Sequence, residues 1–459
     1  AQFGQGLTFW SGLGFNRKDA FASNVASLGG GLRAYTSINE NLFLRGAATT
    51  VRFGNINVTA FYSGKGIDAT VATVAQSDSA DGFDPGTLVS AFQESGLHRI
   101  PRELENRRSI FQQHYGGNVN YTKDNLHVGI TGVFMSIDAT LNPAQREYTL
   151  YRFQGSENSA LGIDYAWRYR NFFVFGETTR SMNGGMATVN GININMNPRL
   201  SVNVTQRYYA PDFQQVASVS FGESAQVENE AGVYLGIEFR PFKKWTLNTF
   251  IDQFSFPWLR YQTDGPSTGY DLFAQLDFNP NSRTNIYLRY RERLRQVNTR
   301  EEVDGIRFLV PNPRKNYRLN FVYRVTNNLR LGSRAEYVEF QRGDEPISRG
   351  YLLFQDLSYT FQRIPLTLTG RYALFQSDNF DSRLYAFEND VLYFFSIPSY
   401  SGRGTRTYLL LKYDVSRRID LWVRWAQFYY TDRQAVGTGL EEIDGRTRTE
   451  IKVQARFKF

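Results

Sequence analysis

The chain has 459 residues, no cysteine, and 52 Lys and Arg against 44 Asp and Glu, a formal charge of +8. Without cysteine there is neither a disulfide framework nor a thiolate metal site, and no apolar run approaches the roughly 18 residues of a membrane-spanning helix. Yet 37 Phe and 28 Tyr sit in a chain that is only 41% hydrophobic. A β-barrel reconciles these facts, because only alternate residues of each strand meet lipid; a secreted all-β array is the rival. The positive charge suits either an anionic partner or a water-filled lumen lined with both signs. No charged segment with an apolar core opens the sequence, so no signal peptide is expected within it.

In chain order, residues 3–10 (FGQGLTFW) read as a first strand and 32–37 as a second, after the glycines at 29–31. Neither GQG nor GGG leads into a helix, so both read as flexible, closely packed strand and not as phosphate loops. Strands over 41–53, 55–63 and 67–74 follow, the first two joined at Gly54 and Asn55. The rhythm then breaks over about 76–110, an acidic, turn-rich stretch. Pro101 followed by Glu103 and Glu105 predicts a short helix, and 87–94 reads as another. A folded loop of this length is expected in the lumen or over its mouth.

Alternation resumes over 112–122, 126–137, 161–169 and 172–177, then 186–194 and 200–208. A second long connection, 209–230, precedes strands at 233–240 and 245–254 and a loop in which Trp258 and Tyr261 suit an interfacial position. Beyond it, short links at 279–282, 326–328, 362–365 and 416–418 alternate with long ones at 297–312, 341–348, 377–404 and 431–446. Short turns on one side and long loops on the other are the asymmetry of outer-membrane barrels. In 446–459, Ile451, Val453, Phe457 and Phe459 share one face, while Glu450, Lys452, Arg456 and Lys458 share the other. This resembles the terminal strand of Gram-negative outer-membrane barrels, which implies that Phe457 and Phe459 form the signal read by the barrel-assembly machinery.

The expected fold is all-β: one transmembrane antiparallel outer-membrane β-barrel domain over residues 1–459, of about 22 strands (range about 20–24). Arg289, Arg291, Arg293 and Arg295 share one face of a strand, with Arg318 and Arg324 on the next, Arg330 and Arg334 after it, and Arg371 further on. Such a ladder either sets selectivity in an open lumen or pairs with carboxylates such as Asp356, Glu336 and Glu450 to stiffen the wall. A second constellation, Asp164, Arg168, Glu177, Arg207, Glu238 and Asp252, reads as an internal charge network, since buried charges need partners. No metal or cofactor is expected, because no spacing fits a calcium loop or a histidine zinc set. Nor is an enzyme expected: His98, His114 and His127 are the only histidines, and no nucleophile elbow accompanies them.

Further motifs carry a more specific likeness. FGQGLTFWSGLGF at the start, TAFYSGKGIDA from residue 59, GLHR and RELE from 96, FVFGE from 173, QRYYAPDFQ from 206, FGES and ENEAGVYLGIE from 221, and FIDQFSFPWLRYQTDGPSTGY from 250 are similar to Bacteroidota outer-membrane proteins that carry an amino-terminal helix-hairpin-helix region. The likeness covers about the first 280 residues in motifs and the rest in strand rhythm. It implies that this sequence is the barrel portion, and that any nucleic-acid contact belongs to a periplasmic region ahead of Ala1. The expected location is a Gram-negative outer membrane, with lipid around the wall. The expected role is a channel or transport conduit with a partly occluded, arginine-lined lumen. The alternative is a scaffold subunit with a plugged lumen and protein partners in a larger outer-membrane complex for secretion, barrel assembly or DNA uptake.

Overall fold

The structure is a computed structural model and describes residues 1–10, 29–35, 43–71, 88–92, 98–302 and 304–458. Nineteen strands of eight residues or more run through the described residues. They are β1 (Gly46–Phe53), β2 (Ile56–Ile67), β3 (Ile110–Lys123), β4 (Leu126–Leu141), β5 (Gly155–Tyr169), β6 (Phe172–Ser181), β7 (Met186–Asn197), β8 (Leu200–Tyr209), β9 (Glu230–Phe239) and β10 (Trp245–Phe256). Then come β11 (Ser267–Asn281), β12 (Thr284–Asn298), β13 (Leu309–Arg324), β14 (Leu329–Phe340), β15 (Ser348–Thr360), β16 (Leu366–Ser377), β17 (Arg403–Ser416), β18 (Ile419–Tyr430) and β19 (Thr447–Phe457). Two short strands, Ala69–Val71 and Leu88–Phe92, join this sheet where β2 to β4 end.

The chain forms two compact units. One comprises Ala1–Glu238, Phe250–Tyr270 and Gln296–Leu309; the other comprises Phe239–Thr249, Asp271–Arg295 and Val310–Phe459. In the first, β1 to β8 pair antiparallel with their neighbours in chain order. In the second, β13 to β19 do the same. Tight turns make this meander possible. Gly54, Asp124 and Arg170 each open a two-residue turn with positive φ, which matches the twist of the flanking strands.

Burial along the strands is inverted relative to a soluble protein. On β15, Tyr351, Leu353 and Leu357 are exposed, Leu353 at 55%, while the intervening Leu352 and Phe354 are buried. On β19, Ile451, Val453 and Phe457 are 70%, 67% and 60% exposed. The opposite face buries charge: Arg207, Arg406 and Arg424 are among the largest fully buried side chains. A continuous apolar surface of this extent is tolerated only against lipid or a partner.

The outer face also carries two aromatic levels. Tyr290, Tyr317, Tyr337 and Tyr351 form a row across the second unit, with successive ring centroids 5.2, 5.9 and 4.9 Å apart. Nearer the short turns lie the Trp245–Phe278 stack at 4.3 Å and the Tyr359–Phe361 pair at 4.9 Å. Along β15 the levels are separated by the run from Tyr351 to Tyr359, or about 26 Å at roughly 3.3 Å per residue. At the strand tilt of an outer-membrane barrel, roughly 40°, that run rises about 20 Å, most of the apolar band of about 25 Å between the aromatic girdles. The fold class is therefore all-β, the antiparallel wall of a transmembrane outer-membrane barrel.

Three expected strands take other forms. Residues 3–10 hold only the two-residue strands Gln2–Phe3 and Phe9–Trp10, paired with each other, and Leu7, Thr8 and Phe9 are wholly buried. A segment buried on all sides cannot be a wall strand, whose outer face must stay exposed. Leu32 to Tyr35 is not strand, the rest of that expected element lying outside the described residues; Gly31 instead bridges Gln2. Between 67 and 74 the described strand is the three-residue Ala69–Val71. The expected helix at 87–94 is the strand Leu88–Phe92 in its described part. Val89, fully buried with Ala69, Ile110 and Met135, draws this segment onto the sheet, parallel to the end of β4. The helix begun by Pro101 forms, as Pro101–Glu105.

Candidate functional site: the charged inner face

In the first unit the inner face grips the start of the chain. Glu177 on β6 is fully enclosed, and its carboxylate accepts hydrogen bonds from the backbone N–H groups of Gln5 (2.6 Å), Leu7 (3.1 Å) and Thr8 (2.8 Å) and from the Thr8 hydroxyl (2.6 Å). The glycines make this wrap possible. Gly4 and Gly6 have φ of 56° and 92°, and a Cβ on Gly4 would lie 2.7 Å from Glu177 Oε2. Successive N–H groups converging on an anion form a nest. The GQG run, read above as strand flexibility, is thus an anion-binding turn whose anion is the protein's own carboxylate. Phe3, Phe9 and Phe61 stack around it at 5.0–6.5 Å.

The connection between β8 and β9 lies against this segment. Val219 N donates to Gly6 O at 3.0 Å, and Gln215 Nε2 to Thr8 O at 2.7 Å. Its foot is pinned by Arg207, which donates to Glu230 (2.5 Å) and to both oxygens of Asp252 (2.7 and 3.0 Å). Glu230 also accepts from the backbone N–H groups of Glu223 and Ser224. In the same connection, burial pushes the Glu228 carboxyl above its ordinary range against the opposing pull of Arg152.

The second expected constellation divides accordingly. Arg207 and Asp252 meet, with Glu230 as their third member, whereas Glu177 binds backbone instead of an arginine. Asp164 accepts from His127 Nε2 at 3.0 Å, and His127 Nδ1 lies 2.9 Å from the Thr122 hydroxyl, a line tying β3, β4 and β5 together. Arg168 stands over the Phe173 ring at 5.3 Å near the β5–β6 turn, and Glu238 is half-buried near the end of β9. His98 contacts Asp68 at 2.6 Å.

In the second unit the connection between β16 and β17 is seated on the inner face by cations from several strands. Glu388, fully buried, accepts from Arg406 at 3.1 and 2.9 Å, from Arg424 at 2.5 Å and from the Tyr400 hydroxyl at 3.0 Å. Burial, reinforced by Glu388, raises the Tyr400 phenol above its ordinary value. Asp390 takes Lys452 at 2.7 Å, and Arg371 donates to Asp356 at 2.6 and 2.7 Å and to the carbonyl of Phe387 at 2.8 Å. The guanidinium of Arg371 also covers the Phe354 ring at 3.6 Å.

The arginine ladder separates by height on the wall. Arg291 and Arg293 both reach Asp271, Arg289 donates to Gln275 at 2.8 Å, and Arg318 makes a two-point pair with Glu336 at 2.8 and 2.9 Å. Arg334 donates to Asn320 at 3.1 Å, and Arg295 lies on the same strand face beyond Arg293. Arg324 and Arg330 are different: they are exposed and sit at the short turn between β13 and β14. Glu388, Asp390, Arg406 and Arg424 were missed in the sequence. Arg406 and Arg424 do fall in the strand-alternation pattern, but their acidic partners lie in a loop without any. Phe457 stands on the exposed apolar row, and Phe459 lies outside the described residues.

No protein-family model matches the chain, and no curated protein matches it in sequence. Among solved structures it is similar to that of the FpvAI–pyocin S2 complex, at 10% identity over 88% of this chain and 64% of that one, with a TM-score of 0.46. It is likewise similar to a mutant of the ferric enterobactin receptor PfeA from Pseudomonas aeruginosa, at 7% identity over 92% and 71% of the two chains and a TM-score of 0.45. The siderophore receptor PiuA from Acinetobacter baumannii matches at 10% identity over 89% and 72%, with a TM-score of 0.43. The chain spans 64% of the length of the first of these.

Proposed function

We propose that this protein is a transport barrel of a Gram-negative outer membrane, a conduit whose lumen is partly occluded by its own connections. Two aromatic levels separated by about 26 Å of tilted strand on an apolar face support the membrane location. The observation that carries the transport reading is the seating of the β16–β17 connection: Glu388 and Asp390 hold it to Arg406, Arg424 and Lys452 by charge, while its short strands Leu384–Tyr385 and Ser399–Tyr400 pair with each other and add no strand to the wall. Such a latch is strong when dry and weak once water enters. The inner arginines, of which Arg291, Arg293, Arg318 and Arg371 are paired with carboxylates while Arg289 and Arg334 donate to amides, then face the path and set selectivity when the connection lifts.

The scaffold reading is favoured by one observation, the completeness with which Glu177, Glu230 and Glu388 are satisfied by the protein's own segments. In that reading the lumen stays shut, and the partners are the assembly machinery at Phe457 and Phe459 and other proteins of the complex. Single-channel recording in planar bilayers separates the two. The conduit reading predicts small, intermittent openings for the wild type and larger or longer ones for Glu388→Gln, which weakens the latch. Silence from both proteins, with insertion verified, contradicts it and leaves the scaffold.

A further inference from the structure

The inner arginines of the wall are matched by carboxylates or amides, and at the short-turn end Arg456 and Lys458 share Asp420, but the neighbouring β11–β12 and β13–β14 turns carry arginines without such acids. There Arg324 and Arg330 stand directly opposite each other across the β13–β14 ladder. Like charges in facing cross-strand positions disfavour a sheet. Arg324 N donates to Arg283 O at 2.8 Å, which brings the turn between β11 and β12, with a third arginine, alongside. All three are exposed, and among the described residues no carboxylate lies within ion-pair distance of any of them. Asp356, which faces Gly332 on the adjoining strand, is occupied by Arg371.

These side chains border a cleft of about 420 Å³, lined by Arg283, Arg324 and Arg330 together with Asn279, Asn281 and Asn285. Asn285 Nδ2 donates to Asn279 Oδ1 at 2.9 Å, and Asn281 Oδ1 accepts from Arg283 N at 2.9 Å, so the amides are held in place by the turn itself. The cleft is therefore walled by fixed polar groups and three cations of one sign. Guanidinium groups present paired N–H donors that fit tetrahedral oxyanions in two-point contacts. A single carboxylate would neutralise only one of the three.

We propose that this cleft is a binding site for a multiply charged phosphate-type anion at the short-turn end of the barrel. Resting on the transport reading, it names the class of solute met at that end: phosphorylated small molecules or inorganic phosphates. Binding does not require a pore to open, so a failure of this site and a failure of the conduit can be told apart. The facing Arg324 and Arg330 are the specificity-determining pair, and Arg283 closes the third side.

The test is isothermal titration of the full chain in non-ionic detergent with inorganic pyrophosphate and inorganic phosphate, with chloride as a control. The site predicts saturable binding, pyrophosphate tighter than phosphate, and a loss of about tenfold or more in affinity for R324Q/R330Q, two charge-assisted contacts being removed. A second double variant, R349Q/R403Q, changes exposed arginines on strands at the long-loop end and is expected to bind as the wild type does. No saturable binding by the wild type, or equal losses in both double variants, overturns the site. So does binding of duplex DNA in the absence of pyrophosphate binding, which would mark a nucleic-acid surface. The wild-type titration decides even if R324Q/R330Q fails to fold.

Discussion

At the scale of single residues, the most informative contact is Glu177 with residues 5–8. Four donors from residues 5–8 converge on one fully buried carboxylate, so removing the acceptor leaves three backbone N–H groups unsatisfied, each at a cost of about 1–3 kcal/mol. Glu177→Ala is expected to speed hydrogen exchange at Gln5, Leu7 and Thr8 by roughly tenfold or more, while exchange in the hairpin of β7 and β8 stays unchanged. Unaltered protection at those three amides would show that the surrounding aromatic stack, not the carboxylate, holds the segment. The sequence displays the glycines of this turn but not their purpose, because the partner lies 172 positions away.

At the scale of elements, the wall strands were legible and the segments lying on them were not. Each wall strand carries its own evidence in alternate residues, as with Leu161, Ile163 and Trp167 outward against Ala160, Asp164 and Ala166 inward on β5. A buried connection has no such period. Residues 3–10 read as strand and 87–94 as helix; tertiary burial made the first a buried turn and the described part of the second a strand. The ladder of Arg289 to Arg295 was visible as a row, whereas the role of Arg406 and Arg424 depends on a loop whose acids carry no pattern. The latch they form makes its own prediction. Arg406→Ala leaves Glu388 buried with one fewer cation, which is expected to cost about 3–5 kcal/mol, read as a lower denaturant midpoint for unfolding from detergent. A midpoint within experimental error of the wild type would mean that the β16–β17 connection is held by its apolar contacts, Leu384, Val391 and Tyr400, alone.

At the scale of the whole molecule, one inversion governs the wall: apolar side chains outward, charges inward. The same inversion explains how a chain with 52 basic and 44 acidic residues can sit in a bilayer when, among the described residues, no helix is long and apolar enough to cross one. It also assigns the arginines their chemistry. Arginines on the wall are held by acids such as Asp271, Glu336, Asp356 and Glu388, whereas Arg283, Arg324 and Arg330 at two short turns are exposed to solvent.

The most direct measurement of that inversion uses the absence of cysteine from the chain. Single cysteines placed at Leu353 and at Leu352, adjacent residues that are 55% and 1% exposed, are labelled with a small fluorophore before refolding into lipid bilayers. With acyl-chain-brominated lipids, the account predicts strong quenching of the label at 353 and little at 352. Equal quenching at the two positions, or none at 353, would contradict a lipid-facing outer row and with it the outer-membrane barrel.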